Sequence, residues 1–141
     1  MPIKTVFPAL IATLGLVACG GGGTPQEQID RNISKLVAAC SDKGGDYSGA
    51  AGLVAYTGSD RDRKFKSLAS AEGEDRSILN KQCYQISKLL DGGKSYTLVK
   101  FEQETESEGT WYIQHMSFPS GATAALAFLE IDGTFALADI D

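Results

Sequence analysis

Apolar residues recur along this chain with two periods, and the change from one to the other falls near Lys94. Ile29, Ile33, Leu36, Val37 and Cys40 follow one another at helical spacing, which predicts an amphipathic first helix. Thr24 can cap it, Pro25 suits its first position, and Glu27 completes a Thr-x-x-Glu capping box. Gly44 and Gly45 end it. Asp46 can cap a second, shorter helix in which Tyr47, Ala51 and Val54 share a face, stopped near Gly58. Gly49 and Gly52 weaken a helix there, and a strand through the same residues is the competing reading. Residues 59–66 read as a charged connector. A third helix is predicted over about 74–90, with Leu79, Cys83, Ile86 and Leu90 on one stripe and Gly92-Gly93 as its stop.

Beyond Lys94 the pattern alternates and the residues favour strands, predicted over 96–103, 110–118, 122–131 and 134–140. The connectors are short. Asp132-Gly133 is the best hairpin signal, since both positions tolerate positive φ. Three helices followed by a four-stranded meander is an α+β plan, and a curved antiparallel sheet wrapping the helices would bury all the apolar stripes together.

The 141 residues suit one compact domain, with 13 basic against 18 acidic residues. That acidic balance argues against a nucleic-acid partner. No internal repeat is visible, and low complexity is confined to the glycines at 20–23.

The N-terminus carries a different signal. Residues 1–4 hold one lysine, residues 5–15 form a mainly apolar run too short to span a bilayer comfortably, and Leu16-Val17-Ala18-Cys19 closes it. Leucine at −3 and a small residue at −1 before cysteine resembles the lipobox of bacterial lipoproteins; the bland alternative is an ordinary secretory signal with an incidental cysteine. The resemblance implies that residues 1–18 are a signal peptide removed by cleavage, that Cys19 is the lipidated residue, and that 19–25 form a tether ahead of a single domain over 26–141. Each buried lipid methylene contributes about 0.8 kcal/mol, so two or three acyl chains would hold the protein on a membrane. A glycine-rich tether of about six residues spans only about 13 Å on average, which keeps the domain close to the lipid. An aspartate after the lipidated cysteine tends to retain such lipoproteins in the inner membrane. Gly20 stands there instead, so the expected address is the cell envelope at the outer membrane, facing the periplasm.

With Cys19 lipidated, Cys40 and Cys83 remain. An even pair in an oxidising envelope is expected to form a disulfide; two buried thiols acting as small hydrophobes are the alternative. On a chain-entropy model, closing a loop of about 44 residues stabilises the fold by roughly 4 kcal/mol.

Element order, together with Gly45-Asp46-Tyr47, Ile131-Asp132-Gly133-Thr134-Phe135 and Asp139-Ile140-Asp141, resembles the nuclear transport factor 2-like (cystatin-like cone) superfamily. Within it, the chain is most similar to small bacterial lipoproteins of unknown function. Phe135 stands where those relatives often have tryptophan. The resemblance implies three N-terminal helices packed on a curved four-stranded antiparallel sheet, with a pocket between them. The superfamily includes isomerases, dehydratases, cyclases and non-catalytic binding domains, so the architecture leaves function open.

Candidate chemistry is sparse. His115 is the single histidine and shares a strand face with Trp111 and Ile113, opposite Tyr112, Gln114 and Met116. If the Trp111 face points inward, those three line a ligand pocket and His115 is the best general base. An ordinary hydrogen-bonded histidine is the plainer reading. Isomerase-type chemistry would draw on Asp46, Glu130 or Asp139 beside Tyr47, Tyr96 or Tyr112, although Asp46 is more simply a helix cap. Ala122, Ala124, Ala125, Ala127, Ala136 and Ala138 put small side chains on the last two strands, leaving room for an apolar ligand or letting a helix come close. No second histidine or clustered cysteine ligands are present, so no metal site is expected, and no cofactor motif appears. Arg61, Arg63, Lys64 and Lys66 form a basic loop that could touch anionic headgroups. Glu102, Glu104, Glu106 and Glu108 form an acidic strand and hairpin. Alternation places Glu102, Glu104 and Glu106 with Lys100 on what reads as a solvated sheet face. The expected function is a lipid-anchored, non-catalytic module binding a small apolar molecule or an envelope protein; a small isomerase or dehydratase is the alternative.

Overall fold

The computed structural model describes residues 23–41, 47–57, 64–107 and 109–141. Cys19, Gly44, Gly45, Asp46, Gly58, Arg61, Arg63 and Glu108 lie outside them. Helix α1 (Pro25–Cys40) begins on the capping box read from the sequence. The Glu27 amide donates to Thr24 Oγ1 at 3.2 Å, and the Thr24 amide donates to Glu27 Oε1 at 2.9 Å. The bond donated by the Thr24 amide is the main cause holding the Glu27 carboxyl below its ordinary range. Helix α2 (Ser77–Leu90) is entered through a 3-10 turn over Gly73–Arg76, so the regular helix starts later than its stripe suggests. Its left-handed stop falls on Asp91 (φ 49°), one residue ahead of the glycine pair.

Between the two α-helices, the expected second helix is a 3-10 turn over Ser48–Leu53, followed by a two-residue strand β1 (Ala55–Tyr56). Both sequence readings were partly right. Gly49 and Gly52 cost helix propensity, and the turn's small residues supply only a narrow buried stripe, Ala50 and Ala51. Strand β2 (Lys66–Ser67) pairs antiparallel with β1, so the charged connector ends in ordered backbone. Val54 bridges Leu137 in parallel and lays β1 beside the last strand.

The main sheet runs β3 (Thr97–Glu106), β4 (Gly109–Ser117), β5 (Thr123–Ile131) and β6 (Thr134–Ile140), antiparallel and in chain order. The class is α+β. Asp132 and Gly133 take φ of 50° and 83°, giving the tight hairpin their sequence predicted. Register shifts at Val99 and Ala138 add one residue each to β3 and β6, which bends both strands. One sheet face supplies Met116, Ala124, Leu126, Phe128, Phe135 and Leu137 to a core completed by the stripes of α1 and α2. Cys40 and Cys83, both fully buried, form a disulfide between the helices with Cα atoms 4.7 Å apart.

Candidate functional site

Strand β4 assigns the sequence candidates to opposite sides. Phe101, Gln114 and Leu126 align across three strands on the helix-facing side, as do Tyr112, Phe128 and Leu137. Trp111, Ile113 and His115 therefore lie on the outer face, half-exposed, and do not line a pocket between sheet and helices. The physical reason is volume. The large aliphatic and aromatic side chains of β5 and β6 point to the helices, and register with them forces Tyr112, Gln114 and Met116 the same way. Gln114, only 1 % exposed, is tolerated there because its Nε2 donates to the carbonyls of Lys100 and His115, both at 3.0 Å.

On the outer face His115 Nε2 lies 2.6 Å from Glu102 Oε2, and Lys100 Nζ lies 3.5 Å from Glu102 Oε1. The hydrogen bond with His115 is the main cause holding the Glu102 carboxyl below its usual range, and the Lys100 charge adds to it. The general base read from the sequence is thus held by a surface carboxylate. His115 and Tyr112, adjacent pieces of an acid–base set, point to opposite faces of the same sheet. Glu130 and Asp139 are exposed, and Tyr47 and Tyr96 are half-buried at other places in the fold. Asp30, which sequence reasoning passed over, is a half-buried carboxylate; desolvation pushes it above its ordinary range and the Glu27 charge adds to that.

The alanines do not form one concave surface either. Ala124 packs into the core and Ala122 against it, where they border a groove with Leu89 of α2. Ala125 and Ala127 face outward opposite His115 and Ile113, and Ala138 sits at the β6 bulge. Close helix approach explains the first two, and no single pocket collects the rest.

A further cavity lies where the sheet divides. The β4–β5 ladder runs from Ser117↔Thr123 to Tyr112↔Phe128 and stops. The β3–β4 ladder continues to Glu106↔Gly109, and β5–β6 continues to Ile131↔Thr134. Two hairpins thus diverge like a fork around a cleft of about 560 Å³, lined by Lys64, Phe65, Gly109, Thr110, Tyr112, Leu129, Glu130 and Ile131. Phe65 forms its roof and meets the ring of Trp111 edge-on at 5.6 Å. Tyr112 closes its inner end and is held edge-on against Phe135 at 5.1 Å. Leu129, 5 % exposed, and Ala136, 1 % exposed, are buried on this side of the sheet, outside the main core cluster. Sequence reasoning missed the fork because strand lengths were legible and register was not. Phe65, an aromatic ring inside a charged connector, was the one available signal.

Among the described residues no group of three His, Cys, Asp or Glu could hold a metal ion, and no helix is long and apolar enough to cross a membrane. No family model, curated protein or solved structure matches this chain.

Proposed function

We propose that this chain is an exported, lipid-anchored binding module of the bacterial cell envelope, held on the membrane through Cys19 and recognising its target at the sheet fork. The fork carries the reading: a cleft of about 560 Å³ falls within the size range of ligand sites and combines apolar walls with a few polar groups. The Cys40–Cys83 bond supports an oxidising compartment. The lipobox-like Leu16-Val17-Ala18-Cys19 and the short glycine tether support the anchor, and Gly20 favours the outer membrane. The cystatin-like cone is proposed as the architecture of the domain, on the strength of its four-stranded meander packed against α1 and α2.

Cell fractionation of the full chain and of Cys19→Ser tests the anchor. The wild type is expected in the membrane fraction and to incorporate an alkyne-labelled palmitate. The variant is expected in the soluble periplasmic fraction, unlabelled. A variant that stays with the membrane overturns the anchoring assignment.

A further inference from the structure

The main sheet is covered along one edge and open along the other. Val54 bridges Leu137 and lays β1 beside β6, whereas β3 has no neighbour beyond β4 among the described residues. An open edge strand turns a row of N–H and C=O groups outward, a template for one more strand. Proteins commonly blunt such an edge with proline or with charge on the side that points to the core. Here Thr97–Glu106 contain no proline, and the helix-facing row of Phe101, Gln103 and Thr105 is uncharged. Leu98 and Val99, 38 % and 61 % exposed, add bare aliphatic surface at the start of the strand.

The outer row carries charges of both signs, Lys100, Glu102 and Glu104, and their order selects the occupant. Directly opposite residues of an antiparallel pair share a face, so a two-fold pairing of β3 with itself must be centred on a residue. Centred on Lys100, Glu102 or Glu104, the axis sets a charge against its own copy, which is destabilising. Centred on Gln103 it sets Glu102 against Glu104, and centred on Thr105 it sets Glu104 against Glu106. Centred on Phe101, Lys100 meets Glu102 of the second copy on both sides of the axis, and no like charges meet. That register also brings together two Phe101 rings, each stacked on the Tyr112 of its own chain at 6.3 Å. Leu98 and Val99 lie toward the ends of the shared ladder, where the second copy covers them, and the bulge at Val99 falls just outside its Lys100–Glu102 centre. The intrachain contact of Lys100 with Glu102 leaves both side chains accessible to a second one.

We infer that β3 pairs with β3 of a second copy of this chain, antiparallel about a two-fold axis at Phe101, joining two four-stranded sheets into one. The contact is isologous, so it uses both open edges and stops at a dimer. A single strand ladder buries less than a permanent interface does, so the dimer forms reversibly with concentration. The inference goes beyond the binding-module reading and depends on neither the anchor nor the cleft.

Sedimentation velocity tests it, over a concentration series of the full chain carrying Cys19→Ser, a change outside the described residues. The mass is expected to rise from one chain to two. Lys100→Glu and Glu102→Lys, each on an accessible side chain, set like charges face to face and are each expected to weaken dimerisation about tenfold or more. Mixed in equal amounts, the two variants regain opposite charges, and a heterodimer is expected where each alone is monomeric. The double variant Lys100→Glu/Glu102→Lys is likewise expected to pair with itself. Far-UV circular dichroism matching the wild type identifies each variant as folded. A chain that stays monomeric at every concentration overturns the dimer, and one whose mass climbs past two chains overturns the closed contact. Dimerisation that neither single variant weakens overturns β3 as the surface. Two weakened variants that do not recombine overturn the register at Phe101.

Discussion

Along β4, Tyr112, Gln114 and Met116 alternate with Trp111, Ile113 and His115, and the two sets meet different surroundings. The inner set lies under α1 and α2 among side chains that are almost wholly buried. The outer set is half-exposed and carries an ion pair, and its Trp111 meets Phe65 of the fork. The inner face resembles a conventional core, in which nearly every position is constrained by volume. The outer face keeps apolar side chains in partial contact with water, the arrangement of a surface that can also meet something else. Stability should therefore be concentrated on the inner side of the sheet, and the outer side should tolerate change more readily.

The comparison breaks most directly by truncating one apolar side chain on each face. Phe128 is fully buried, and Phe128→Ala is expected to cost about 3–5 kcal/mol in urea unfolding. Ile113→Ala, on the half-exposed outer face, is expected to cost about 1 kcal/mol. Equal losses would mean that the outer face is as much core as the inner one.

The disulfide belongs to the inner layer and sharpens the contrast. Replacing Cys40 and Cys83 together by alanine is expected to cost about 2–5 kcal/mol, given a closed loop with a separation of 43 residues. Trp111 emission in the native state should not move, because the bridge sits between the helices and Trp111 lies beyond the sheet. A shifted native spectrum would show that the two faces are mechanically coupled.

What could be read beforehand follows the same division. The stripes of α1 and α2, the capping box, the Asp132-Gly133 turn and the four strands come from local patterns, and they match the structure to within a few residues. The solvated row of Lys100, Glu102 and Glu104 follows from alternation and is found on the outer face. Which face of β4 points inward is not a local property. Trp111, Ile113 and His115 are no less plausible as a buried set than Tyr112, Gln114 and Met116 until β5 and β6 are placed beside them. The buried glutamine is the clearest case, since its partners are main-chain carbonyls on β3 and β4 and leave no trace in composition. The fork was equally hidden. It depends on where one ladder stops while its neighbours continue, and nothing in the identities of Thr110 or Ile131 announces that.

The smallest expected effect lies on the outer face, where its sign can be worked out. His115 and, secondarily, Lys100 hold the Glu102 carboxyl below its unfolded value. A carboxylate depressed on folding adds stability that is fully present above its unfolded pKa and is lost as pH falls through the folded value. The wild type and Glu102→Gln should therefore differ in urea midpoint at neutral pH and converge as the pH drops from about 5 to about 3. Glu102 is solvent-accessible, so the separation should be small and should shrink further in high salt. Phe128→Ala supplies the control: its loss is one of packing, so its acid limb should run parallel to that of the wild type. A Glu102→Gln curve that also runs parallel would show that the 2.6 Å contact with His115 contributes nothing to folding. The charged groups of the outer face would then add nothing to folding, which would widen the difference between the two sides of the sheet.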